Sequence, residues 1–193
     1  MFTLFKPSDE QIEKFLAEQK DLSFSYEEVG CSQNAIPLGY PINHHRIQLG
    51  YRADVFDRAK NAIQNWTMYQ LDWTRLYPPN APIAAQEVVC VVANHHVCWS
   101  LNPCRIVYVL EGEAGTIRRY GFAFGTLPGH SEEGEERFTV EWRQEDDSVW
   151  YELLSFARPH HFLAKIGTLF VEPLKQRFAA QSQRAMLKAI NNK

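Results

Sequence analysis

The chain has 193 residues, enough to bury roughly 70% of the surface its unfolded form exposes, so neither disulfides nor a metal is required to hold a core. Apolar residues make up 45% and aromatics 13%, a globular composition that excludes a disordered chain. A formal charge of −3 disfavours a general binder of nucleic acid or anionic membrane, and there is no apolar run of about 18 residues to cross a bilayer.

The opening residues, MFTLFKPSDEQIEKF, contain no apolar run of signal-peptide length and turn charged by residue 9, which reads as a cytoplasmic protein. Ser8 is a plausible N-cap, and Ile12, Phe15 and Leu16 recur at helical spacing, so residues 8–19 are expected to form a short amphipathic helix. From 21 to 44 the pattern is lost, and Gly30, Pro37, Gly39 and Pro41 punctuate a loop-rich approach. HHRIQLGY reads as a strand. ADVFDRAKNAIQNW then reads as a helix, with Val55, Phe56, Ala59, Ala62, Ile63 and Trp66 on one face. A short helix or turn follows through Met68–Leu76.

After Pro82 the character changes to short strand runs: EVVCVVAN, VCWSL, CRIVYVLEG, TIRRYGFAFGTL, ERFTVEWRQ and SVWYELLSF. Turn-forming segments (NHH, NPC, EGEAG, PGHSEEGE, EDD) separate them, which argues for an antiparallel meander. In the last section Phe162, Ile166, Phe170, Leu174 and Phe178 step by four, and Met186 and Ile190 resume the step after Ser182. That is one apolar stripe on a long helix, with a kink or break expected at Pro173. The sheet needs a cover, and only the terminal helix carries enough apolar surface. The expectation is an α+β protein in which a curved antiparallel sheet wraps a long C-terminal helix, the element order of the helix-grip fold. Residues 1–40 form a helix-and-loop extension and 41–193 the helix-grip domain, together a single domain.

The stretch GFAFGTLPGHSEEGEERF carries the most unusual chemistry. No Gly-Lys-Ser/Thr follows its glycines and no helix follows the strand, so it is neither a P-loop nor a dinucleotide fingerprint. Alternation points Tyr120, Phe122, Phe124 and Thr126 one way and Gly121, Ala123 and Gly125 the other. A face this bare leaves room for close packing of another segment, the plainer reading, or for a ligand. Leu127-Pro128-Gly129 suits a turn, which puts His130 and the run Glu132, Glu133, Glu135, Glu136 at or near a hairpin tip. If Phe138, Val140 and Trp142 face the core, Glu136 does too and needs a partner, for which Arg105 and His130 are candidates; a structural ion pair is the plainer reading.

The histidines form three doublets, His44-His45, His95-His96 and His160-His161, plus His130. Neighbours in a strand diverge, so each doublet could give one ligand to one point, and no metal-binding spacing occurs; no metal or cofactor is expected. Cys31, Cys90, Cys98 and Cys104 form no CxxC and read as free thiols. No nucleophile elbow is present. Trp99, Asn102, Pro103 and Arg105 bracket a WSLNPCR turn that could hold a ligand's polar head or only satisfy turn carbonyls.

The blocks LGYPINHHRIQLG, WTRLYPPNAPI, WSLNPCRIVYV, GFAFGTLPGHSEEGEERF and SFARPHH together resemble an uncharacterised bacterial and plant family, domain of unknown function nineteen-ninety. The resemblance spans about residues 22–190. That family is grouped with the START/Bet v 1-like superfamily, which implies the same helix-grip architecture. It brings no established activity, and hence no catalytic residue to carry over. Members of the wider superfamily bind lipids, sterols or plant hormones, and some act as polyketide cyclases, an analogy at the level of fold alone.

The leading expectation is a protein that holds a small apolar or amphipathic molecule between sheet and terminal helix. Its candidate ligand-binding residues are Trp99, Asn102, Arg105, Tyr120, Phe122, His130, Glu136, Phe162 and Ile166. One rival is an enzyme of cyclase, dehydratase or hydrolase type using His130 with Glu136 or Arg105. Another is a structural or partner-binding protein with a filled core.

Overall fold

The computed structural model of the chain describes residues 1–159 and 168–191, with side chains of the final helix described from Pro173 onward. In chain order the elements are β1 (Phe2–Thr3), α1 (Asp9–Gln19), β2 (Ile42–Tyr51), α2 (Ala53–Gln64), β3 (Thr74–Tyr77) and β4 (Val88–Asn94). Then come β5 (Trp99–Ala114), β6 (Ile117–Thr126), β7 (Glu132–Arg143), β8 (Ser148–Pro159) and α3 (Thr168–Asn191). The strands form one antiparallel sheet in the order β2-β8-β7-β6-β5-β4-β3, with β1 paired to β5 off this path. The sheet curls around the C-terminal helix as a half-barrel, which is the helix-grip arrangement.

Local chemistry explains most of the boundaries. Ser8 caps α1 reciprocally with Gln11, a capping box, and Ile12, Phe15 and Leu16 form its buried face. Leu127-Pro128-Gly129-His130 closes as a β-turn, with the His130 N–H donating to the Leu127 carbonyl at 2.9 Å. The expected NPC turn does not exist, because β5 runs unbroken through Pro103. In a strand the N and C=O of one residue point to the same side. The Pro103 carbonyl accepts from Leu127 N at 3.1 Å, just past the last β5–β6 pair, Cys104 with Thr126. The missing N–H therefore falls where no β6 partner waits for it. Likewise α3 does not break at Pro173, which sits in its second turn.

The concave face carries the main core. Phe56, Ala59 and Ile63 of α2 meet Phe122, Phe138, Val140 and Tyr151 of the sheet, and Met186 and Ile190 of α3 close over them. Fully burying each large apolar side chain stabilises by roughly 1.5–3 kcal/mol. Ser182 sits on the apolar stripe of α3 and is fully buried, and its hydroxyl hydrogen bonds the Tyr151 hydroxyl at 2.6 Å. A polar residue is accommodated there because both hydroxyls are satisfied.

The convex face is covered by α1 and the loop that follows it. α1 lays Ile12, Phe15 and Leu16 on Cys90, Val92 and Leu101, while Tyr26 and Tyr40 pack on Phe156. This cover settles the purpose of the bare face of β6. A Cβ on Gly125 would lie 2.1 Å from the Tyr26 hydroxyl, and one on Gly121 would lie 2.2 Å from the Phe138 carbonyl oxygen. The small residues make room for the N-terminal loop and the neighbouring strand, on the side of the sheet away from the interior.

Candidate functional site

At the end of the interior opposite α2, between the sheet and the start of α3, lies a cavity of about 520 Å³. Its apolar wall comes from Val91 and Ala93 of β4, Phe124 of β6, Leu153 of β8, and Leu174 and Phe178 of α3. Tyr69, from a 3-10 turn over Thr67–Tyr69, stacks 4.9 Å from Phe178 and 5.6 Å from Phe138. It forms the floor between void and filled core. Polar groups enter from β2 (Asn43, His45), β5 (Ser100, Asn102), β8 (Ser155) and the 127–131 turn (His130, Ser131).

The acidic run is not the tip of a hairpin. β7 begins at Glu132, so alternation divides the four carboxylates between the two faces. Glu133 and Glu135 face out. Glu133 pairs with Arg158, and Glu135 is buried and accepts from Tyr26 Oη at 2.7 Å, Gly30 N at 2.7 Å, Ser32 N at 3.1 Å and the Ser32 hydroxyl. Gly30 presents its N–H from a left-handed conformation, φ +87°, that other residues adopt only with strain. Glu135 is thus the pin that fastens the N-terminal loop to the sheet.

Glu132 and Glu136 face in. Glu132 pairs with Lys175 of α3 at 2.6 Å, and Glu136 accepts from the Tyr69 hydroxyl at 2.9 Å. Burial pushes the Glu136 carboxyl up to about 7, against the Tyr69 hydrogen bond and the Lys175 charge, which pull it down. Burial also raises the Tyr69 hydroxyl well above its ordinary value, with the Glu136 charge adding to it. The site therefore offers a carboxyl that changes protonation near neutral pH beside a phenol that stays protonated.

The sequence candidates fall on both sides of the sheet. Asn102, His130 and Glu136 line the cavity. The Asn102 amide donates to Val91 O at 3.1 Å and Ser100 Oγ at 2.8 Å, and its oxygen accepts from Ser131 at 3.2 Å. His130 Nδ1 accepts from Glu132 N at 2.9 Å. Arg105 is not a partner of Glu136. It faces the convex side, donates to Lys20 O at 2.7 Å and Leu22 O at 2.9 Å, and lies over the Phe24 ring. Trp99 also lies away from the cavity, against the α1 cluster. The physical reason is that β5 runs unbroken through Pro103, so Trp99 and Arg105 alternate out while Asn102 alternates in. Tyr120 and Phe122 do face inward, but into the filled core; Phe122 packs 4.8 Å from Trp66. Phe162 and Ile166 lie outside the described residues.

Tyr69 and Lys175, the actual neighbours of Glu136, were not among the candidates. Tyr69 is 67 residues from Glu136 and Lys175 lies one position off the apolar stripe, so no local spacing marks either. The His44-His45 doublet behaves as strand geometry requires, while His160-His161 lies outside the described residues. His44 faces out to Glu152 at 3.3 Å while His45 lines the cavity. His95 also lines it, with Nε2 2.8 Å from Ser100 Oγ, and burial lowers its basicity. All four cysteines are free thiols. Among the described residues no helix is long and apolar enough to cross a membrane.

One solved structure agrees with the architecture. The crystal structure of Ara h 8.0201 superposes with a TM-score of 0.50 at 11% identity, covering 80% of this chain and all of that one. Human STARD10 gives a TM-score of 0.46 at 13% identity over 96% of this chain and 80% of its own. In sequence, a UPF0548 protein of Dictyostelium discoideum is 31% identical over 100% of this chain and 97% of its own length. A UPF0548 protein of Arabidopsis thaliana is 30% identical over 96% of each. The profile described as "Domain of unknown function (DUF1990)" matches residues 25–185, and with these full-length relatives it makes this chain a member of the DUF1990, or UPF0548, family.

Proposed function

We propose that this protein is a cytoplasmic binding module that holds one small amphipathic molecule between the sheet and α3. The observation that carries the reading is the cavity of about 520 Å³, a size typical of small-molecule sites, with an apolar wall and a few inward polar groups. Such a void forfeits packing that the rest of the interior achieves, which favours an occupant and counts against a filled structural core. The four free thiols support a reducing compartment. The enzyme reading keeps His130 and Glu136 in one cavity but loses Arg105 to the opposite face, so binding is the reading with more support.

The test uses N-phenyl-1-naphthylamine, a neutral apolar dye whose fluorescence rises in an apolar site. The parent protein is expected to bind one equivalent, and native mass spectrometry should show a co-purified small molecule. Val91→Trp, which fills the cavity from β4, is expected to reduce dye binding at least about tenfold with the fold intact by circular dichroism. Dye binding unchanged in that variant would reject the cavity as the site.

A further inference from the structure

We propose that the polar end of the occupant is a carboxylate, held by a row of three side chains, Asn43, Ser155 and Glu136, on adjacent strands; this rests on the binding role proposed above. Asn43 of β2 stands opposite Ser155 of β8, and Ser155 stands opposite Glu136 of β7. Directly opposed residues on one face have Cβ atoms about 4.5–5.5 Å apart, so the three form a continuous polar strip. All three line the cavity. The row beside it is His45, Leu153 and Phe138, of which the last two are apolar and buried.

Asn43 gives the strip its preference. It is 7% exposed, and its Nδ2 is buried with no hydrogen-bond partner. Native proteins rarely leave such a donor unmade, and a ligand acceptor supplies what the fold does not. An ammonium head has no lone pair to offer and would leave Asn43 unsatisfied; a carboxylate has several. One carboxylate oxygen accepts from Asn43 and Ser155, and the other accepts from the protonated carboxyl of Glu136, whose Oε2 meanwhile accepts from Tyr69. Two carboxyl groups at this distance share one proton, so binding above neutral pH takes up a proton from solvent. Burial already brings Glu136 close to the protonated form near pH 7.

The groups facing Glu136 are Tyr69 from the 3-10 turn, Lys175 from α3, Glu132 on its own strand, Cys104 from β5 and Tyr151 from β8. Burial holds Tyr69, Cys104 and Tyr151 protonated, and Lys175 is paired with Glu132. His45, His95 and His130 line the same cavity, and protonating any of them would favour a carboxylate in the same direction of pH. A Glu136 variant separates them.

Dodecanoate, dodecanol and dodecylamine, which share one chain and differ in head group, are competed against N-phenyl-1-naphthylamine between about pH 6 and 9. Dodecanoate is expected to displace the dye at roughly tenfold lower concentration than either analogue at pH 6, and its inhibition constant is expected to rise about tenfold per pH unit above 7. Glu136→Gln, whose amide donates at any pH, should keep the affinity at pH 6 and abolish the rise. Asn43→Ala, an independent variant, should weaken dodecanoate about tenfold more than it weakens the dye. Displacement by dodecanol or dodecylamine as good as by dodecanoate overturns the carboxylate while leaving the cavity as a binding site. A pH slope that survives in Glu136→Gln overturns the role of Glu136 and assigns the slope to the histidines. Failure of the dye to bind removes both readings together.

Discussion

Glu135 and Glu136 are neighbours of one chemical type with opposite effects on the fold. Glu135 is buried among four donors and fastens the N-terminal loop to the sheet. Glu136 is buried with one hydrogen bond and a more distant lysine, and desolvation wins. Its carboxyl titrates at about 7 in the folded protein, against 4.5 for an ordinary glutamate. Between those values the folded state binds the proton and the unfolded chain does not, so stability is full below the lower one and is lost as pH rises through the upper. The shift corresponds to a loss on the order of 3 kcal/mol. Glu136→Gln is therefore expected to equal the parent near pH 4 and exceed it above pH 8. Urea unfolding at the two values checks this, and a parent-to-variant difference that does not grow with pH would count against the assignment.

At the scale of elements, β6 shows how an alternation can be read correctly and its purpose missed. Tyr120, Phe122 and Phe124 do face the core and Gly121, Ala123 and Gly125 do face away. What the strand could not reveal is that a loop about a hundred residues earlier sets Tyr26 on Gly125. Gly125→Ala is expected to destabilise by ~1–3 kcal/mol, because Tyr26 must move off both the new methyl and the Glu135 carboxylate. Denaturant midpoints measure the loss, and hydrogen exchange should locate it in residues 24–34. Elements set by local chemistry were readable from the sequence: the capped α1, the amphipathic α2, the Leu127–His130 turn and the α3 stripe. Those set by neighbours were not. Pro103 looks like a break until it is known which side of β5 lacks a partner, and the EEGEE run looks like a solvated tip until Glu132 is seen to pair with Pro159.

The whole molecule divides its interior into a packed end, where α2 and the last turns of α3 meet the sheet, and an open end near the start of α3. Sequence periodicity identifies what faces inward but does not separate these ends, so Tyr120 and Phe122, ligand-site candidates by their inward face, lie in the packed end. The division makes ligand and stability measurable together. N-phenyl-1-naphthylamine at about 100 times its dissociation constant should stabilise the fold by about 2.7 kcal/mol, and thermal unfolding should show no such gain for Val91→Trp. Hydrogen exchange should slow at β4 and β7 and remain unchanged in α2. The division of the acidic run also bears on how the protein can be re-engineered. A residue inserted within Glu132–Gly134 would invert every later side chain of β7, turning Phe138 outward and Arg137 into the packed core. Changes of length belong instead at the opposite end of the strands, in the exposed turns that join β5 to β6 and β7 to β8.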